Sequence, residues 1–437
     1  MSTSKEAEQA AGVAVDRGAI QFHVSTTRSE WKEHYLMGEK LEVSPGELYG
    51  AGAYVRVLGD NTKAAADMVR TSAAPNSDDF RGLMLILKNP AQVLSENTAT
   101  RFTDLATQLS STGFHLEQAA WNYQVQDRTN AAGLAHTISA KDYGPAQVTE
   151  VPNAISYGQP QTVDTTAPAS HPDDLRSLID STMGYLADVD SKIKEITQYS
   201  LIESAIEPLA GNWNGLKTIG DAYEKGGNAL ESSGNDLTSS SSRLDPTWDG
   251  SAAIAYGEYS SNLARGLVWE GAAGRLLKQG LYLAAEKIAE AVKAVLEYVK
   301  RALEQFVDFG SVKGTVKTLA KQFPVFGQAY TVYKVEELVQ ELVSTAMKIY
   351  DDTVKTVEAV QEFLDFAKDP IGYVKQSAED QIQQRINEKV GPYKDALDKG
   401  KQTVDNARDL ATVADSRGIT DRPNAAYDAG NQWDDAR

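Results

Sequence analysis

Five histidines, His23, His34, His115, His136 and His171, are the first side chains to test for chemistry, and their spacing offers none. No His-Glu-x-x-His occurs, and no two histidines lie four apart to share a metal from one helical face. The chain has no cysteine, which removes disulfides, zinc–thiolate sites and thiol nucleophiles. Ser191 and Lys194 match Ser-x-x-Lys, but the pair lies mid-helix without a companion motif. "GAGAYV", residues 50–55, carries two glycines of a dinucleotide loop yet follows no strand, so it reads as a place where helices approach closely. "GSVKGTVK" lacks the Gly-Lys-Ser/Thr ending of a phosphate loop. The acidic residues sit on polar helix faces, where paired carboxylates are solvated surface. The residues therefore predict no catalytic group, no cofactor, no metal and no enzyme.

Composition narrows the partners. A formal net charge of −18 lacks the basic footprint that phosphate binding requires, so no nucleic-acid partner is expected. No apolar run reaches the roughly eighteen residues a spanning helix needs, so no transmembrane segment is expected. "MSTSKEAEQAAGVAVDRG" lacks the basic-then-apolar pattern of a cleavable leader. Export, if it occurs, is expected by a route that ignores Sec-type signals, with a cytoplasmic location as the alternative.

The elements that would position any site are helical. Residues 1–40 show little apolar period and read as a loosely ordered segment. Residues 41–138 read as a helical hairpin. Ser44-Pro45-Gly46-Glu47 is a helix start, with Ser44 capping and Glu47 reaching back to it. Leu48, Val55, Leu58, Thr62, Ala65 and Val69 follow at helical spacing. After "TSAAPNSDD", Asn89-Pro90 opens a second helix. Its seam, Phe102, Leu105, Leu109, Thr112, Leu116, Ala119 and Tyr123, alternates steps of three and four. Residues 139–172 hold five of the fourteen prolines and read as a linker, extended or disordered. Residues 173–270 resume the period: one helix with Ile179, Thr182, Leu186, Val189, Ile193 and Ile196, then another over 216–244. Residues 271–415 are amphipathic helices, and 416–437 are a polar tail. The class is all-α: an elongated bundle of long antiparallel helical hairpins.

Two corners interrupt the helices with tryptophan. "NWNG" places Trp213 two residues before Gly215, and "TWDG" places Trp248 two before Gly250, each between helical stretches. The first hairpin turns at "FRG", with Phe80 and Gly82 in the equivalent positions. An indole is costly to leave wet and awkward to bury whole, so Trp248 reads as a corner piece whose ring is mostly buried.

These Trp-x-Gly turns, with "NWNGL…AYEKGGNALESSGNDL…LDPTWDGSAAIAY", resemble the WXG100 superfamily of helical hairpins exported by type VII (ESX) secretion, mostly in actinobacteria. In that superfamily the export signal is Tyr-x-x-x-Asp/Glu just after the second helix of one hairpin, opposite a Trp-x-Gly on a partner. Tyr123 and Asp127 match at the end of the Phe102–Leu116 seam. Tyr35/Glu39, Tyr199/Glu203, Tyr282/Glu286 and Tyr333/Glu337 share the spacing but not the place. A Tyr-x-x-x-Asp hairpin, a linker and a Trp-x-Gly module together are similar to fused PE–PPE-like secreted proteins, although neither signature is present. The resemblance covers about residues 40–270.

It implies a secreted or cell-surface protein with a structural or interaction role. Its implied partners are the type VII machinery or a WXG-type partner or chaperone, with homo-oligomerisation left open. The alternatives are the carrier portion of a toxin-like polymorphic protein and a cytoplasmic scaffold that is never exported. Two amphipathic stripes, Leu281, Ile288, Val295, Phe306 and Ile371, Val374, Ile382, Ile386, Val390, are expected to complete the bundle, line an assembly or coat a membrane surface, with core packing favoured.

Overall fold

The structure, a computed structural model, describes residues 42–138, 152–309 and 340–355, together with positions 337 and 358. The expected loose segment 1–40, residues 139–151 of the linker, the 371–390 stripe and the 416–437 tail lie outside the described residues. Among those described, helix dominates and there is no strand, only an isolated antiparallel bridge between Val43 and Trp248. The all-α class holds. No described helix is long and apolar enough to cross a membrane.

Among the described residues four long helices carry the core: α1 (Pro45–Ser72), α2 (Leu85–Ile138), and, after three short helices α3 (Leu175–Met183), α4 (Leu186–Thr197) and α5 (Leu201–Ile206), α6 (Asn214–Leu244) and α7 (Ser251–Phe309). Every residue of the expected α1 and α2 seams is buried, as are Ile219, Tyr223, Leu230, Ser233, Leu237 and Leu244 of α6. These faces join in one apolar cluster that also takes in Leu281, Ile288 and Val295 of α7, and Leu342 and Ala346 of the helical segment 340–355. Helices α3, α4 and α5 lie against α7.

The tight pairings are α1 on α2, α6 on α7, and then α1 on α6. Both tight pairs are antiparallel, and both use glycine to bring backbones together. A methyl on Gly52 would sit 2.6 Å from the Gly113 carbonyl oxygen, so α1 and α2 touch with no side chain between them. Helices α2 and α7 stand further apart and are bridged by large side chains. The Arg101 guanidinium of α2 is paired with the Glu270 carboxylate of α7, which is 3% exposed, and stacks 5.4 Å from the Trp269 ring centroid. Eleven residues along α2, Thr112 hydrogen-bonds Tyr259, eleven before Glu270. Eleven further, Tyr123 meets Trp248. Eleven residues are about three full helical turns, so these rungs stay on one face of a straight helix.

Four local expectations are corrected. Helix α2 begins at Leu85, with Pro90 inside it; Leu83, Met84 and Leu87 are buried, and burying them outweighs the backbone bond that Pro90 forfeits. The single helix expected from Ile179 to Ile196 is broken into α3 and α4 at Gly184, which takes φ +55°. The Ser44 side chain makes no cap bond. Its N–H donates instead to the Thr247 carbonyl at 2.9 Å, while Glu47 turns to Arg243 at 3.2 Å. Of the two "GAGAYV" glycines, Gly52 admits a helix as expected, whereas the open face of Gly50 receives Ile155 of the linker.

Residues 152–173 run outside any helix, largely extended, and they are held. Ile155 N–H donates to the Gly46 carbonyl at 3.0 Å. Gln161 N–H donates to the buried Asp236 carboxylate at 2.7 Å. Lys225 reaches the Thr166 carbonyl at 3.2 Å and pairs with Asp164 at 2.7 Å. His171 N–H donates to Thr218 Oγ1 at 3.0 Å. As the segment ascends in sequence these contacts descend α6, so it lies antiparallel to that helix.

Arg101→Met is expected to cost about 3–5 kcal/mol in urea denaturation, because it strands the Glu270 charge in the core. Adding Glu270→Met should return most of that loss. Costs that simply add in the double variant would show that the two side chains are energetically independent.

Candidate functional site

The Trp248 corner is built by local chain chemistry. After α6, Asp245–Thr247 makes one tight turn, with Pro246 suited to its early position. Trp248 is then extended, at φ −145° and ψ 113°, and Gly250 takes φ +105° before α7 starts at Ser251. That φ belongs to the region glycine enters without steric cost. The extended Trp248 backbone is flanked by two hydrogen bonds: Ser44 N–H to Thr247 O at 2.9 Å and Asp249 N–H to Glu42 O at 3.0 Å.

The indole is 3% exposed. Its ring lies 5.8 Å from that of Tyr256, tilted by 39°. Its Nε1–H donates to Tyr123 Oη at 3.4 Å, across 125 residues of sequence. Tyr256 Oη is 3.0 Å from Ser241 Oγ, and burial pushes its phenol pKa up to about 12. Tyr123 is itself buried, while Asp127, one helical turn further, is exposed. Both lie inside α2, which continues to Ile138, and not after its end as the resemblance implies. Of the Tyr-x-x-x-acid pair, only the carboxylate and the following helical residues face solvent. Trp121, two residues before Tyr123, is among the exposed large apolar side chains.

The other four corner residues meet at the opposite end of the helices. Phe80 and Trp213 are buried at 1% and 3% exposure. Gly82 has φ +52°, and a methyl there would sit 2.8 Å from the Pro208 carbonyl oxygen. Asn212 donates twice to Asp79, through N–H and through Nδ2, each at 3.0 Å. Gly215, in the first turn of α6, faces the Asp79 side chain. The "FRG" and "NWNG" turns thus dock on one another, and Trp248 stands apart from both.

Sequence reasoning missed the polar node around Asp221. This carboxylate accepts from His171 Nε2 (2.8 Å) and Tyr282 Oη (2.9 Å), and pairs with Lys278 at 3.1 Å. Burial works to raise its pKa, but these donors win and hold it below the ordinary carboxylate range. Lys278 also pairs with Glu224 at 2.6 Å. A carboxylate saturated by three donors is an anchor for the His171 end of the extended segment. A histidine next to Pro172, with acids recurring on α6, was the available signal. Among the described residues, no group of three or more His, Asp or Glu is placed to hold a metal. Comparison with protein-family models, with curated proteins and with solved structures finds no match.

Trp248→Ala is expected to cost about 3–5 kcal/mol in urea denaturation, since it empties a core-like site. A cost under about 1 kcal/mol, the range of exposed positions, would mean the indole is not a packing element.

The buried phenols give a sign to alkaline unfolding. Tyr54 and Tyr256 are pushed up to about 12, chiefly by burial, and burial takes Tyr157 and Tyr223 higher still. Unfolded phenols ionise near 10, so the folded state holds protons the unfolded state has released. Stability present in full below pH 10 is therefore lost as pH rises towards 12. The urea midpoint should fall across that window. Tyr223→Phe should flatten the fall at little cost near pH 7, because the Tyr223 hydroxyl is buried without a partner.

Proposed function

We propose that this chain is a substrate of a type VII (ESX) secretion system, carried to the cell surface or medium without a Sec-type leader, and that it acts there as a structural or interaction protein without enzymatic activity. The observation that carries this reading is the meeting of Tyr123 with Trp248. In the superfamily that the sequence resembles, the two halves of the export signal come from different chains. Here one chain supplies both, with Asp127 exposed one turn beyond the buried contact.

The pairing of helices supports the same reading. Helices α1 and α2 form one antiparallel hairpin and α6 and α7 another, and their seams close on each other as two partner chains would. The molecule is then an elongated bundle of long hairpins with Trp-x-Gly turns, in which α7 alone, at 59 residues, extends about 90 Å. Its partners are the export machinery or a WXG-type chaperone. The surface for them is the α2 segment beyond Tyr123, where Asp127 and its neighbours are exposed.

Export is the deciding measurement. Protein should appear in culture filtrate only when the type VII ATPase is functional. Asp127→Ala should abolish that export while leaving helicity and melting unchanged, because the side chain is exposed. Tyr123→Phe removes only the hydroxyl and should lower stability by about 1 kcal/mol. Export that persists without the ATPase would overturn the reading, and normal export of Asp127→Ala would remove the Tyr-x-x-x-Asp match from it.

A further inference from the structure

We infer that the extended segment 153–171 is a built-in strap that holds the Trp248 corner closed, so that displacing it loosens the corner without unfolding the bundle. The inference concerns regulation of the corner that the secretion reading invokes, and it rests on that reading only for its consequence in export.

The segment is received by a surface shaped for it. On α1, Gly46 and Gly50 are four residues apart and so share one helical face. A methyl at Gly46 would lie 2.6 Å from the Asn153 carbonyl oxygen, and a methyl at Gly50 would overlap the Ile155 carbonyl. Backbone therefore lies directly on backbone. Glycine in a helix interior sacrifices stability relative to alanine, and the strap is what occupies the space these two leave. Ile155 N–H closes the contact by donating to the Gly46 carbonyl at 3.0 Å.

The strap then grips the end of α6. The Arg243 guanidinium sits 3.9 Å from the Tyr157 ring centroid and donates to the Ser156 carbonyl at 2.9 Å. The same guanidinium pairs with Glu47 in the first turn of α1 at 3.2 Å. Arg243 is five residues before Trp248. Two residues before Arg243, Ser241 hydrogen-bonds Tyr256, whose ring packs on the indole. Glu47 is three residues after Ser44, whose N–H holds Thr247. The strap thus ties the start of α1 to the end of α6, and these are the two segments that flank Trp248.

Without the strap, that junction keeps two backbone hydrogen bonds, Ser44 to Thr247 and Asp249 to Glu42, and the Arg243–Glu47 pair, whose arginine is 41% exposed. A pair so open to water holds weakly. The indole–Tyr123 contact and the bridge to Val43 would then open as a local unit, below the free energy of global unfolding. The opening stays local, because most strap residues are half-buried or exposed and only Tyr157 and Val163 of the strap pack against the apolar cluster, at its edge.

Gly50→Ala in the full chain tests the inference cleanly. Alanine favours the helix, and the three atoms nearest the added methyl all belong to Ile155, so harm is expected through the strap. Limited proteolysis should cut faster within 152–171. Amide exchange at residues 43–48 and 245–256 should speed up by about tenfold, while α2 and α7 around Arg101 and Glu270 keep their protection. Tyr157→Ala, placed on the strap itself, should reproduce the corner response without altering any helix. A strap that is cut faster beside a corner whose exchange is unchanged overturns the inference. So does Gly50→Ala that moves neither. Export of the two variants reports on the secretion reading separately: a loosened corner with normal export leaves the strap as inferred and counts against the secretion role.

Discussion

Glu270 lies about a third of the way along α7 with its carboxylate almost wholly removed from water, and a charge buried there is costly without a cation beside it. Arg101 of α2 supplies it. That pairing sets where α2 stands along α7, and the rest of the contact between them follows at intervals of eleven residues. Thr112 comes opposite Tyr259, and Tyr123 opposite Trp248. A shift of one turn would strand Glu270 and separate the indole from its acceptor together. The buried pair is thus a register device, which is the best-attested use of ionic groups in a core.

Around that register, the remaining design is one of close approach and compensation. Glycines let α1 meet α2 and let the strap lie on α1. Wherever backbone is brought in this way, polar groups are found for it. Asp236 takes Gln161 N–H, Arg243 takes the Ser156 carbonyl, and Asp190, though burial raises its pKa, takes Leu201 N–H at the start of α5. Few of these contacts are strong singly, but each removes a buried donor or acceptor that would otherwise be costly.

The two ends of the bundle are different in kind. At one, the Phe80 and Trp213 turns interlock and satisfy each other through Asp79 and Asn212. At the other, Trp248 is enclosed by three separate pieces of chain: the extended Glu42–Ser44, the ring of Tyr256 and the hydroxyl of Tyr123. An enclosure assembled from distant segments can open when one of them moves. That property suits a recognition site in the proposed secretion role, and the interlocked end lacks it.

The helical class and the buried seams were legible in the sequence because burial repeats with the helical period. Phe102 to Tyr123 and Leu48 to Val69 announce their buried faces by spacing alone. Gly250 and Pro246 likewise mark a corner by residue type, since one permits a reversed φ and the other stops a helix. Spacing put Tyr123 on the buried seam, while the resemblance put Tyr123 and Asp127 just after the helix; packing buries Tyr123, and the helix continues past both. The break at Gly184 was invisible because the apolar period runs straight through it. The grip of Arg243 on Tyr157 and the pairing of Arg101 with Glu270 have no local signature, and the Asp221 node has only that of His171 beside Pro172 and the acids recurring on α6. Each joins residues dozens to well over a hundred positions apart, and periodicity says which face of a helix is apolar without saying what will cover it. Only the tertiary structure decides that, because the partner of a buried charge or indole is whichever distant group the packed helices bring within reach.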